Sequence, residues 1–532
     1  NYQKIFSDKL FWNAMLNSVY FMIGGFVILM PLSFGLAMLV TAKIKGTGFF
    51  RTCYFLPNML GTTAVALMWT FMLNPNFGIF NTIENIFGLH GAIPDVLTIK
   101  TVNVWIVILV NEWMYAGYNM LIFAAGLVAI PDELNEAAAL DGATGWQRVR
   151  YITLPLMKNS FKVFSILCIT GCLKVFDIIW AMTRGGPNDI SSTPSIMLYT
   201  QGFSYKLFGR SSAYGVILLV LGVALSLITN HLFREDKRSC NVGGRRRDDM
   251  EKTANKQKMH GGKIALYVIA ILWTVVTLFP VVVTVMASFK TNSEIYLNLL
   301  SLPKKLMFQN YISANKTADA LNTIKNSLVV ATLTTVFNTV VGMMAAYILS
   351  RKDYKFLKWV YVFFMIGVMV PVHCTLIPIN NIATALNAKN NLFFLILIYV
   401  AFGMSQAIFL YTGFMDGISR NLDEAAIIDG CNNWQLLWKI LFPVCKPIIA
   451  TEAIFVFIYG YSELVFSMIL MTDTKYFTVS RAMLNFSSAH TQEIGSQFAY
   501  VVMSVIPMLI IYIVFHKQIR KRYAFRSYQR LM

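Results

Sequence analysis

Apolar residues along this chain gather into long runs separated by polar stretches, and each run can carry a helix across about 30 Å of hydrocarbon. Five runs come first, at roughly Ala14 to Thr41, Phe50 to Leu73, Val102 to Leu127, Phe161 to Met182 and Ala213 to Phe233. Six follow, at roughly Ile264 to Ala287, Ser327 to Leu349, Phe356 to Ile379, Leu392 to Met415, Ile448 to Met471 and Phe498 to His516. From Arg234 to Lys263 the chain is polar and charged, with a glycine pair near each end, and reads as a solvated linker. The pattern predicts an all-α membrane protein of about eleven transmembrane helices in two halves, 1–233 and 264–532, joined through 234–263.

Basic residues orient the spans. Lys43, Lys45 and Arg51 follow the first run, Arg351, Lys352, Lys355 and Lys358 follow the seventh, and Lys517, Arg520, Lys521 and Arg522 follow the last. Such clusters stay cytoplasmic, so the chain starts outside and ends inside. Ser18 and Ser327 open matching spans, which leaves Ile264 to Ala287 without a counterpart. The expectation is that the first half lacks its opening span. Nothing near Asn1 reads as a signal peptide.

Composition agrees, with 56% of 532 residues apolar and 13% charged. The net charge of +19 could suggest nucleic acid, but the basic residues sit beside apolar spans, so no nucleic-acid partner is expected. Seven cysteines show no C-x-x-C pair and read as free thiols. The chain carries no metal-binding pattern, no nucleophile elbow and no phosphate loop. Gly261-Gly262-Lys263 comes nearest, with Gln257 and Ile264 where that loop needs glycine and Ser or Thr. Catalytic residues, a cofactor and a metal are therefore not expected.

One stretch occurs twice. PDELNEAAALDGATGWQRVRYITLP, from Pro131 to Pro155, returns as SRNLDEAAIIDGCNNWQLLWKILFP, from Ser419 to Pro443, at a constant offset of 288 (424 − 136). Each copy predicts a short helix closed by glycine at Gly142 or Gly430, then a second helix opened by a capping box, Thr144 with Gln147 or Asn432 with Gln435. A hairpin that merely links spans would need no such pairing. Two matched elbows on one membrane face can seat two identical subunits of a partner.

At these residues the chain resembles the permease subunits of ATP-binding-cassette (ABC) importers. Their E-A-A and D-G loop is matched by Glu136, Ala137, Ala138, Asp141 and Gly142, and again by Glu424, Ala425, Ala426, Asp429 and Gly430. Phe55-Leu56-Pro57, Gly126-Leu127, Ile130-Pro131, Phe176-Asp177, Thr183 and Gly185-Gly186-Pro187 are similar to the first permease of the carbohydrate-uptake, maltose-type branch. Ser288-Phe289-Lys290, Asn310-Tyr311 and Tyr461-Ser462-Glu463 are similar to its partner permease. The resemblance implies a type I importer fold with two permeases joined in one chain and located in a bacterial-type plasma membrane. It also implies an ABC ATPase dimer docked on the elbows, an extracytoplasmic substrate-binding protein, and a carbohydrate substrate moved by alternating access.

Polar residues within spans are costly in lipid and mark a candidate path. Glu112, Tyr118 and Asn119 lie in the third run, and Asp177 lies in the fourth with Lys174 three residues before it. Glu452, Tyr459, Tyr461 and Glu463 lie in the tenth. Tyr and Trp also form interfacial belts, and buried acids also join helices. Two alternatives remain open: a secondary transporter driven by an ion gradient, and an ABC importer permease for a non-sugar solute.

Overall fold

The structure is a computed structural model that describes residues 1–42, 44–88, 93–232, 260–488 and 493–528. All regular secondary structure among these residues is helical. The first half comprises α1 (Lys9–Thr41), α2 (Thr47–Met59), α3 (Thr62–Met72), α4 (Lys100–Ala129), α5 (Asp132–Leu140), α6 (Gly145–Leu156), α7 (Lys158–Leu173), α8 (Asp177–Met182), α9 (Pro194–Tyr199) and α10 (Phe208–Leu232). The second comprises α11 (His260–Ser288), α12 (Ala320–Arg351), α13 (Lys355–Met369), α14 (Leu376–Ala385), α15 (Leu392–Asp416), α16 (Asn421–Ile428), α17 (Phe442–Ser462), α18 (Val465–Leu470), α19 (Val479–Ser488) and α20 (Ile494–Tyr528). Most of the expected linker lies outside the described residues, and its last four, from His260, already belong to α11.

Eight helices among the described residues are long and apolar enough to cross a bilayer. Counting three sharply bent pairs as one span each raises the number to eleven. The bends are 90° between α2 and α3, 66° between α6 and α7, and 100° between α13 and α14. Gly61 makes the first one. Its φ of +80° is open to glycine, and an added Cβ would lie 2.9 Å from Ser462 Cβ in the other half.

The repeat extends well beyond the elbows. Asn17 of α1 donates through Nδ2 to the carbonyls of Ile190 and Ser192 at 2.7 and 2.9 Å. Asn326 of α12 donates likewise to Lys475 and Phe477 at 2.9 and 3.0 Å. The corresponding spans α1 and α12 thus pin the segments that precede α9 and α19. The unpaired α11 crosses to the first half, where Tyr54 of α2 donates to the Ala270 carbonyl at 2.8 Å and Trp113 of α4 to that of Val276 at 3.3 Å. The last span of each half packs on the bent pair of the other, α10 on α13 and α14, α20 on α2 and α3. The largest apolar cluster therefore runs across both halves, and separate clusters sit beside each elbow-bearing bundle.

Candidate functional site

The two elbows fold alike because the same local rules act twice. At the end of α5 the amide of Gly142 donates to Ala139 and that of Ala143 to Ala138, with Gly142 at φ +78°. At the end of α16 Gly430 donates to Ile427 and Cys431 to Ala426, with Gly430 at φ +84°. These are left-handed helix closures. Both capping boxes form, Thr144 with Gln147 and Asn432 with Gln435. In each copy a π-helical turn follows, Val149–Thr153 and Leu436–Leu441, and leads into the next span.

Apolar side chains at the elbow tips face water. Leu140 is 84% exposed, Ile428 85%, Trp146 68% and Trp434 60%. Ala138 and Ala426 face inward, while Glu136, Ala137, Asp141, Glu424, Ala425 and Asp429 face out. A cavity of about 310 Å³ opens at the first elbow, lined by Asp141, Gly142, Gln147, Arg148 and Tyr151. Each elbow tip thus exposes leucine or isoleucine and tryptophan beside carboxylates.

The elbows are anchored differently. Arg351, at the C-terminal end of α12, meets Asp423 of α16 at 2.5 Å, with side chains only 6% and 11% exposed. It also donates to the carbonyls of Met415 and Ile418 at 3.0 and 3.3 Å. Arg420 pairs with Asp353 at 2.9 Å in the open, where the guanidinium's hydrogen bond and charge hold the Asp353 carboxyl below its ordinary range. At the first elbow Asn135 takes the repeat position of Asp423, and no ion pair holds it among the described residues. Sequence reading used Arg351 only as a topology marker. Its role as an anchor needs the contact between α12 and α16, to which its place in a basic cluster gave no signal.

At mid-depth four helix breaks meet in pairs across the seam. The bend at Gly61 touches Ser462, next to the break before α18. The break before α8 puts Phe176 against His373, with ring centroids 5.3 Å apart, just after the bend that ends α13. These breaks correct the expected run from Phe161 to Met182. Helix α7 ends at Leu173 and α8 restarts at Asp177, so Lys174 and Asp177 share no helix face. Lys174 instead donates to the Val368 carbonyl of the other half at 3.3 Å.

The candidate path residues fall into three groups. Asp177 and Glu463, one from each half, lie within electrostatic reach of each other. Glu463 accepts from the Tyr399 hydroxyl and from the amides of Phe466 and Ser467, so it caps α18. Tyr459 packs edge-on against Tyr399 with centroids 5.6 Å apart. Nearer the elbows, Tyr118 of α4 packs on Phe455 of α17 at 5.7 Å, and Asn119 donates back to the Tyr115 carbonyl. Away from the seam, Glu112 packs against Gly24 of α1 inside the first half, and Tyr461 donates to the Ser504 carbonyl of α20 at 2.8 Å.

Comparison with known proteins agrees with this duplicated architecture. The family model described as "Binding-protein-dependent transport system inner membrane component" matches twice, over residues 30–235 and 338–524. The chain is similar to the probable ABC transporter permease protein YurN of Bacillus subtilis (strain 168), at 33% identity over 239 residues, covering 44% of this chain and 82% of that protein. It is also similar to the probable starch degradation products transport system permease protein AmyD of Thermoanaerobacterium thermosulfurigenes, at 29% identity, covering 44% and 78%. A crystal structure of a bacterial ABC transporter involved in the import of the acidic polysaccharide alginate matches with TM-score 0.44 and 19% identity, over 49% of this chain and 99% of that one. With the family model spanning most of the chain in two copies, this protein belongs to the inner membrane components of binding-protein-dependent transport systems, the permeases of ABC importers.

Proposed function

We propose that the chain is two permeases fused through residues 234–263, that it forms the whole transmembrane path of a carbohydrate importer, and that a separate ABC ATPase dimer drives it from the elbows. The observation that carries this reading is the pair of water-facing elbows with Leu140 and Ile428 almost fully exposed. Two equivalent sockets on one face suit two equivalent motor subunits. Glu136, Ala137, Asp141 and Gly142 engage one subunit and Glu424, Ala425, Asp429 and Gly430 the other, with Ala138 and Ala426 packed inward to hold each elbow. Closure of the motor moves the elbows, the π-helical turns pass that motion to α7 and α17, and the halves rock so that the paired breaks part.

A binding protein delivers the solute from outside. Asp177, Tyr459 and Tyr118 meet it along the seam, while Glu463, Tyr461, Asn119 and Glu112 hold the walls. A carbohydrate suits a path of aromatic rings and hydrogen-bonding groups, and the related AmyD is named for transport of starch degradation products. The test is reconstitution in liposomes with candidate ATPase and binding-protein partners. ATP-dependent accumulation of a labelled oligosaccharide, absent without either partner, supports the proposal. Accumulation by the chain alone under a proton or sodium gradient refutes it.

A further inference from the structure

We propose that the hairpin from Phe289 to Phe308, between α11 and α12, is a membrane anchor on the leaflet opposite the elbows, where Lys304 and Lys305 bind anionic phospholipid headgroups. The inference goes beyond the transport reading and does not depend on the cargo.

Ser288-Phe289-Lys290 and Asn310-Tyr311 stand out in the sequence, yet the transport path uses neither. The fold locks the two together. Asn310 donates through Nδ2 to the carbonyls of Ser288 and Lys290 at 2.9 and 2.8 Å, and the hydroxyls of Ser288 and Tyr311 lie 2.8 Å apart. Lys290 is fully buried. Its ammonium donates to the carbonyls of Asn298 and Leu299 at 3.1 and 2.8 Å and to Ser301 Oγ at 3.2 Å. A desolvated ammonium needs its protons bonded, so the chain must fold back over it.

The returning strand of this hairpin is Leu302-Pro303-Lys304-Lys305-Leu306-Met307-Phe308. Leu302 is 76% exposed and Phe308 61%, and Leu306 and both lysines are exposed as well. Neither lysine forms an ion pair among the described residues. Leucine and phenylalanine around two ammonium groups suit the boundary of a bilayer, where apolar side chains enter the acyl region and lysines stay at phosphate level.

Neighbouring contacts set the depth. The Met307 amide donates to the Phe289 carbonyl at 3.0 Å, and the Phe308 ring packs edge-on against that of Phe289 with centroids 5.5 Å apart. The exposed stretch is thus held level with the end of α11. Phe279, Val282 and Val285 are exposed on the last turns of that apolar helix, and Val285 lies four residues before Phe289 (289 − 285), about 6 Å along the axis. The lipid-facing strip of α11 therefore leads up to the anchor. A surface built for a soluble partner would project beyond the span ends, whereas this one is tied down to them. Helix α12 sets the side. Arg351 at its C-terminal end meets elbow helix α16, and its 32 residues carry the chain about 48 Å away to Ala320.

The test uses the full chain, with its ATPase and binding protein, in vesicles of equal parts phosphatidylglycerol and phosphatidylcholine. The photo-crosslinking residue p-benzoylphenylalanine replaces Leu302, or Leu306 in a second preparation, and Val275 of α11 in a control for plain lipid contact. Irradiation at Leu302 and Leu306 should yield lipid adducts with phosphatidylglycerol over phosphatidylcholine by about fivefold, as one lysine near a charged headgroup layer supports. Lys304→Gln with Lys305→Gln should abolish that preference, and Val275 should show none with or without the lysines. Adducts with the binding protein in place of lipid would overturn the anchor, as would an absence of adducts at both positions. Lipid adducts with no headgroup preference, or with one that survives the double variant, would overturn the anionic site. None of these results touches the transport reading, which uptake into the same vesicles reports separately.

Discussion

Replacing Gly142 and Gly430 by valine tests the elbows as transmitters of work. Both glycines sit at left-handed φ, +78° and +84°, and an added Cβ would meet nothing within 4 Å at either place. The penalty is therefore almost purely one of backbone conformation, about 1–2 kcal/mol for an L-residue held there. That strain shifts the population of the closed elbow roughly 5- to 30-fold. The two elbows are separate, so the double variant should lose about 2–4 kcal/mol by additivity. The spans keep their own packing, and the chain still inserts. Reconstituted with ATPase and binding protein, the double valine variant should hydrolyse ATP while sugar uptake falls at least tenfold. Gly142→Asn with Gly430→Asn is the control, since asparagine visits the left-handed region more readily. Native stoichiometry of sugar moved per ATP in the double valine variant would refute the reasoning.

Three further outcomes follow from particular contacts. Arg351→Ala leaves Asp423 buried without its cation and should cost about 3–5 kcal/mol, whereas Arg420→Ala breaks only an exposed pair and should cost little; thermal denaturation in detergent compares them. Gly117→Val drives a Cβ to 1.9 Å from the Tyr54 carbonyl oxygen, so α2 and α4 must separate, at about 1–3 kcal/mol or more, read as a lower melting temperature and loss of fluorescence-detected monodispersity. Outside the membrane, Glu294 accepts from the Thr291 and Lys304 amides, and the Thr291 bond is the largest influence holding its pKa below the ordinary glutamate value. Its contribution is therefore fully present above the ordinary range and lost as pH falls through the lowered folded value. Hydrogen exchange over residues 291–304 should accelerate only at that lower pH. Acceleration already at pH 6 would count against the cap.

Much of this protein was legible in the order of its residues. Runs of apolar side chains long enough for a bilayer dictate helices, because a backbone in lipid must satisfy its own hydrogen bonds. The elbows were equally plain, since a glycine closure and a capping box act within a few residues and need no distant partner. Asp177 and Glu463 stood out as acids in apolar runs, although the sequence does not tell that Glu463 caps α18 while Asp177 keeps a free oxygen.

The helix breaks were harder to see. Proline at Pro371 and glycine at Gly61 were visible signals, but Lys174 to Phe176 carry no breaker; there the freed carbonyls of Leu173 and Val175 accept from Ser195 and Thr193, while Lys174 and Phe176 meet Val368 and His373 of the other half. Local pattern determined the apolar runs, the duplication and the two matched elbows. Tertiary packing decided how the breaks pair across the seam, which half each last span leans on, that Arg351 is an anchor, and that Phe455 meets a ring from 337 positions earlier in the chain (455 − 118). The reason is physical: capping and hydrophobic length act over a few residues, whereas bending a helix and leaving a carboxylate oxygen unpaired are costs that only a distant surface can offset.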